Sequence, residues 1–497
     1  MYTIVNKMMN GVRIVAKMFV AVLALNACSS DTFLDTDLEM SGDDEQTLVI
    51  NLSTGGDRLT TRAGRPLQSS AAGQDINHVS LYVLNTDGIV LQKQLDERAW
   101  SQALDYKNGK QLEVVFRASE GERLPEGDYT FYALGFTLNG DYQFQIDPLR
   151  EVNAINGESF DPNMLIRIKA EEFEKRFAAL LKEDKTDGEE IFAGKANITA
   201  KGDKLFKTAP NGGASSDGAL MVLNRQLAGV MGYFTNIPAE INGIAPTHLR
   251  LIASNKNNQV NFINLLMGET EQQAKPSFVV NGSLSGHPTY PQVDYFENDK
   301  MQGYVVFEIL LADFFPMMKA GKSFADCDLN KDGFVGYEDA AVLNAPSDFW
   351  VNSHSTKDYP QSLVKGSVFD SHFVIPFRWR EMYPTFELQL LGTDEFGGDI
   401  YLKSWNIKIS KDQLNPEKPL GSTSTGVIVV MKGDKSTTCF NVYRNHFYAL
   451  GKKTSDGDGQ MLNKPTESDQ PLDLSRSMEL VVSIYKQWSG SEQMQIR

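Results

Sequence analysis

Short runs in which apolar and polar residues alternate, separated by Gly-, Pro- and Asp-rich turns, recur along most of this chain, and few stretches carry helical spacing. An extended backbone points successive side chains to opposite faces, so each run can bury one face and wet the other. A chain made of such runs folds into packed sheets. Ile76–Leu95 sets two of them around Asp87-Gly88, a hairpin signal. Gln111–Phe116 follows, then Leu124–Phe136 (LPEGDYTFYALGF), a Pro-x-Gly turn entering an aromatic strand. A second series comprises Ala219–Ile237, His248–Ala253, Gln259–Leu265, Gly303–Leu311, His372–Phe377, Thr385–Leu391, Tyr401–Ile409, Thr425–Met431, Phe440–Leu450 and Met478–Trp488. Ala170–Leu181 is the helical exception, with Phe173, Phe177, Leu180 and Leu181 on one stripe suited to core contact.

The chain has 497 residues, enough for more than one core. The polar, Gly-rich Lys201–Gly218 reads as a linker or long loop at a domain boundary. The expected fold is mainly β: two β-sandwich domains, 63–210 and 211–497, with short helical insertions. The LPEGDYTFYALGF element is similar to one found in transthyretin-like sandwiches, which implies Greek-key connections. A formal charge of -16, with no Lys/Arg-rich run after the first residues, excludes nucleic acid as the expected partner.

The N-terminus constrains where such a fold works. Lys7, Arg13 and Lys17 precede or flank an apolar run, Met18–Leu25, whose eight residues are too few to span a bilayer. Residues 1–27 therefore read as a secretory signal. Leu25-Asn26-Ala27-Cys28 resembles a bacterial lipobox, which makes Cys28 the lipidation site and the outer membrane the first partner. The acidic residues 28–45 read as a tether. Cys327 and Cys439, the other two cysteines, form no disulfide framework.

Behind the tether lies Gln46–Leu52 (QTLVINL), with Leu48, Ile50 and Leu52 on one face and Thr47, Val49 and Asn51 on the other. Burying those three aliphatic side chains contributes about 1.5–3 kcal/mol each. The Gly- and Thr-rich loop that follows offers Arg58, Arg62 and Arg65 to a trypsin-like protease. Pro66 protects Arg65, so Arg62-Ala63 is the better bond. A cut there frees residues 46–62, and withdrawal of the strand opens an apolar groove.

Several motifs in order resemble one family. Leu223-Asn-Arg225-Gln-Leu-Ala228-Gly-Val230 is similar to the Leu-x-Arg-x-x-Ala-x-Val strand of type V fimbrilins, the major pilus proteins of Bacteroidales. Arg444-Asn445-His446-Phe-Tyr448 is similar to their Arg-Asn-His-x-Tyr strand, and the lipobox, first strand and arginine site match in order. The resemblance implies a cell-surface pilus subunit, exported as an outer-membrane lipoprotein and activated by an Arg-specific protease. It then polymerises with other pilus subunits, including anchor and tip subunits, by strand exchange. The resemblance makes the end of the chain the donor, with Met478, Leu480, Val482 and Ile484 on one face and Trp488 closing the strand. The alternative is that Met478–Trp488 simply pairs within its own sheet, in which case its extension, Ser489–Arg497, can be the donor. A tip or accessory adhesin binding host or bacterial ligands, and a monomeric glycan-binding lipoprotein, are the rival functions.

Asp328-Leu-Asn330-Lys-Asp332-Gly333-Phe334-Val-Gly336-Tyr-Glu-Asp339 fits a calcium loop. Asp328, Asn330 and Asp332 offer side-chain oxygens at alternate positions, Gly333 permits the sharp turn, and the Phe334 carbonyl and Asp339 complete the set. Asp at the last position, in place of Glu, resembles a dockerin half-repeat. Calcium is the expected, structural cofactor. Catalysis finds no support: the six histidines lack His-x-x-x-His spacing, and Gly282-Ser-Leu-Ser-Gly286 puts Leu284 where a nucleophile elbow needs Ser. His446 reads as a packing or hydrogen-bonding residue.

Overall fold

The structure is a computed structural model that describes residues 45–53, 78–95, 104–106, 109–136, 142–147, 150–152, 165–168, 191–253, 259–261, 296–297, 300–301, 304–350, 364–375, 377, 384–409, 428–432, 435–440, 442, 446–451, 470–475 and 479–486. The fold is mainly β, with several sheets and a few helical turns. Two compact units divide the chain: Met1–Glu45 with Phe116–Arg123, and Gln46–Val115 with Leu124–Arg497. In the first unit, Arg117 Nε donates to Glu45 Oε1 at 2.9 Å, beside a 3-10 turn, Ala118–Glu120, that ends on Gly121 at φ +71.

The second unit holds nearly all of the strands. Its ten-stranded sheet contains β1 (Glu45–Ser53), β2 (His78–Asn85), β3 (Gly88–Leu95), β4 (Leu104–Tyr106), β5 (Gly109–Arg117), β6 (Gly127–Phe136), β10 (Phe192–Lys201) and β13 (Leu220–Arg225). Their order is β3-β2-β6-β10-β13-β1-β5-β4, and a hairpin of β11 (Lys204–Thr208) and β12 (Ala214–Gly218) hangs from β10. The nine-stranded sheet runs in the order β20 (Tyr304–Leu310), β16 (His248–Ala253), β23 (Phe386–Thr393), β24 (Asp399–Ile409), β29 (Glu479–Lys486), β27 (His446–Leu450), β14 (Ala228–Thr235), β22 (Val368–Val374). A short β28 (Leu472–Asp473) also pairs β14. One four-stranded sheet joins β7 (Tyr142–Asp147), β8 (Arg150–Val152), β9 (Leu165–Ile168) and β17 (Gln259–Asn261) in the order β17-β9-β7-β8. Two-stranded pairs are β15 (Ile237–Pro238) with β21 (Phe334–Val335), β18 (Phe296–Glu297) with β19 (Lys300–Met301), and β25 (Ile428–Lys432) with β26 (Lys435–Cys439).

The expected hairpin forms: β2 and β3 pair from Val79↔Leu95 to Asn85↔Gly88, with Gly88 at φ +131 and Asn85 Oδ1 accepting the Asp87 and Gly88 N–H groups. Two expectations are corrected. Lys201–Gly218 is no linker, because β11 pairs back on β10 from Ile198↔Lys207 to Lys201↔Lys204 and carries β12 on its other edge. Ala219–Ile237 is likewise not one strand. It breaks at the buried Gln226, whose N–H donates to Ile191 O at 2.8 Å, so β13 enters one large sheet and β14 the other.

Apolar side chains on one face of the nine-stranded sheet, among them Leu249, Leu251, Leu388, Leu390, Trp405 and Ile407, form a buried cluster that also takes in Tyr82, Leu134, Ile191 and Ala193 from the ten-stranded sheet. The helical run at 170–181 lies outside the described residues.

Candidate functional site: the slot of the first strand

β1 is an interior strand. It lies between β13 and β5, and its parallel register with β13 runs from Val49↔Leu220 to Ser53↔Asn224. The Val49 N–H donates to Ala219 O at 3.1 Å. The alternation in QTLVINL places Leu48 and Ile50 at 0% exposure, while Thr47 and Val49 are half-buried. Met221 and Leu223 on β13, the register partners of Ile50 and Leu52, are equally inaccessible, and Val114 on β5 is buried as well. Behind β13, Gly194 leaves no room for a side chain: a Cβ there would sit 2.2 Å from Val222 O.

A polar residue that sequence reading passed over anchors the start of the strand. Gln46 is 0% exposed. Its Nε2 donates to Leu124 O at 3.0 Å and Gly202 O at 3.2 Å, and its Oε1 accepts from the Leu124 N–H at 2.8 Å. The primary amide thus pairs with both peptide groups of Leu124 much as a neighbouring strand would. The available signal was Gln46 sharing the phase of Leu48 and Ile50, at a position whose polarity argued for the surface.

Cys28, Arg62, Ala63, Met478 and Trp488 lie outside the described residues, as do the side chains of Leu52 and Ile484. Leu480 and Val482 are buried on β29, at 1% exposure each. That strand is paired on both sides, parallel to β24 from Asn406↔Glu479 to Ile409↔Val482 and antiparallel to β27 from His446↔Lys486 to Leu450↔Val482. The segment 479–486 therefore pairs within its own sheet. His446 stacks on Tyr448 with ring centroids 6.5 Å apart.

The Asp328–Asp339 loop is closed by its own N–H groups. Asp328 accepts from Asp332 and Gly333 at 3.2 and 3.0 Å, Asn330 Oδ1 from Asp332 at 2.9 Å, and Asp332 from Phe334 at 2.9 Å. Buried Asp339 accepts from Leu329, Asn330 and Gly336 at 2.7, 3.1 and 2.8 Å. Burial raises its pKa, and these N–H groups partly offset the rise. Gly333 takes φ +89 as the turn demands. The oxygens suit a hard cation. Even so, among the described residues no group of three or more His, Cys, Asp or Glu side chains is arranged to hold a metal ion. Cys327 and Cys439 are buried thiols that form no disulfide with each other, pushed up to about 12 and about 11 by burial, hence inert.

Comparison with known proteins adds the following. No family model and no curated protein matches the chain. Among solved structures it is similar to a fimbrilin from Porphyromonas gingivalis W83, at 11% identity and a TM-score of 0.34, covering 91% of this chain and 99% of that one. It is also similar to the tip fimbrial protein Mfa3 from Porphyromonas gingivalis, at 9% identity and a TM-score of 0.31, covering 84% and 96%. Its structural neighbours include proteins described as fimbrilins, cell adhesion proteins and polysaccharide-binding proteins.

Proposed function

We propose that this chain is a structural subunit of an adhesive pilus. In this reading it is exported as a lipoprotein precursor through Cys28, cut after Arg62, and polymerised when a neighbouring subunit's strand replaces β1. The observation that carries the proposal is the place of β1: the first strand among the described residues fills an interior position, between β13 and β5, and the candidate cleavage site follows it in sequence. Withdrawing an edge strand would change little. Withdrawing this one leaves two strand edges and the apolar faces of Met221, Leu223 and Val114 open to water, and that surface is stable only if another strand enters.

Residues 479–486 are held by two neighbours in their own sheet, so the donor is a different segment of a neighbouring subunit. The slot then draws on both parts of the chain, β5 from 63–210 and β13 from 211–497. The partners are other subunits of the pilus, its anchor and its tip, at the cell surface. The test is limited proteolysis of the purified precursor. Wild type cut at Arg62 should give ladders on native gels and fibres by electron microscopy, and Arg62→Ala should remain monomeric. Clean cleavage that leaves monomers only would sink the proposal.

A second reading, a tip or accessory adhesin or a monomeric glycan-binding lipoprotein, is favoured by an open cleft of about 720 Å³ at the end of the ten-stranded sheet. Asn85, Asp128, Asn197, Lys207, Ser215 and Asp217 line it with amide, carboxylate, ammonium and hydroxyl groups. Glycan-array binding that is lost in Asn197→Ala would support this reading over the stalk. We also propose calcium for the Asp328–Asp339 loop, with Asp328, Asn330, Asp332, the Phe334 carbonyl and Asp339 as its oxygens.

A further inference from the structure

We infer that the β1 slot selects its occupant by an amide side chain, and that Gln46 is the residue whose chemistry any replacement strand must reproduce. The inference rests on the strand-exchange reading and deepens it by naming the kind of strand the slot accepts. Apolar complementarity alone would admit almost any alternating strand, since Leu48 and Ile50 ask only for branched aliphatic groups of similar volume. The polar end of the slot is far more demanding. When β1 leaves, Leu124 loses the partners of both its N–H and its C=O, and the Gly202 carbonyl loses one donor.

The backbone of an incoming strand pairs with β5 and, from the Val49 position onward, with β13, so a side chain must serve these groups. It needs a donor with two hydrogens and an acceptor on one planar group, and only an amide combines them. A carboxylate would face two carbonyl oxygens, and an aliphatic group would leave buried peptide groups without partners. Two loops feel the choice at once. Leu124 precedes β6, and Gly202, at φ +59, is the turn between β10 and β11, whose N–H is held by Glu126 Oε1 at 3.1 Å.

The occupant is therefore a strand reading Gln-x-aliphatic-x-aliphatic if it runs parallel to β13, or aliphatic-x-aliphatic-x-Gln if it runs the other way. A register slip by one residue would turn the amide to the opposite face, so the same contact also sets register.

The test uses the whole protein cut after Arg62 and fluorescent peptides spanning residues 45–53 (EQTLVINLS). Uptake of the wild-type peptide in exchange for β1 is compared with peptides carrying Gln46→Ala, Gln46→Glu, Leu48→Ala and Thr47→Ala. The inference expects Gln46→Ala to bind about tenfold or more weakly. Gln46→Glu at neutral pH should be weaker again, and Thr47→Ala should stay within about twofold of wild type. Gln46→Ala entering as well as wild type while Leu48→Ala is excluded would overturn the inference and leave strand exchange standing. Failure of the wild-type peptide itself to displace β1 would overturn both.

Discussion

Gln46 behaves as a core residue because its three hydrogen bonds replace those it would make with water. Truncating it to Ala strands the Leu124 peptide groups, and urea unfolding of the uncut protein should show a loss of about 2 kcal/mol, since a buried unsatisfied group costs roughly 1–3 kcal/mol. Thr47→Ala should change little by comparison. A second residue-scale prediction concerns pH. His248 is buried on β16, its Nδ1 2.9 Å from Thr247 Oγ1, and Arg250 beside it pairs with Glu308 at 2.7 Å and Asp399 at 2.8 Å. Burial first and the Arg250 guanidinium second lower His248 to about 4, with Asp399 opposing.

Above about pH 6.5 that imidazole is neutral in both states. As pH falls from 6.5 toward 4, the unfolded chain takes up a proton that the folded one refuses, so stability is lost across that window. Glu308, raised by burial, works in the opposite direction. The measurement is therefore the difference between wild type and His248→Gln, whose melting temperatures should diverge at neutral pH and converge toward pH 4.

At the scale of elements, β13 is the wall against which β1 rests, and Gly194 sets its distance. Ala at 194 puts a methyl 2.2 Å from Val222 O, a backbone atom that cannot swing away, so β13 must shift. Gly194→Ala should cost roughly 1–3 kcal/mol, as overpacking does. Amide hydrogen exchange should accelerate in β1 and β13 and stay unchanged in the distant β2–β3 hairpin. Uniform acceleration would mean that the substitution weakens the whole sheet and not this wall.

At the scale of the molecule, the charge of -16 and the sheet-rich architecture suit the assembly component proposed above, in which the slot would tie assembly to proteolysis. Calcium belongs to this scale too, because β21 in the Asp328–Asp339 loop pairs with β15, which follows β14 of the nine-stranded sheet. If the ion binds, millimolar calcium should raise the melting temperature by a few degrees over chelator through mass action. Asp332→Ala should abolish that rise. A melting temperature indifferent to calcium would remove the ion from the account.

The alternation of Leu48 and Ile50, the Asp87-Gly88 turn and the segments around β16, β23 and β24 were legible in the residues alone, because a strand's two faces and a turn's backbone geometry are local properties. The single run 219–237 concealed two strands of different sheets, and the polar 201–218 concealed a hairpin, because neighbours supplied by distant segments decide pairing. Gln46 belongs to this second class: its role depends on Leu124 and Gly202, 78 and 156 residues away along the chain. Sequence determined which faces are apolar. Tertiary structure decided which strand stands in the interior and which polar side chain is buried with it, since hydrogen-bond partners remote in sequence are assembled only by the fold.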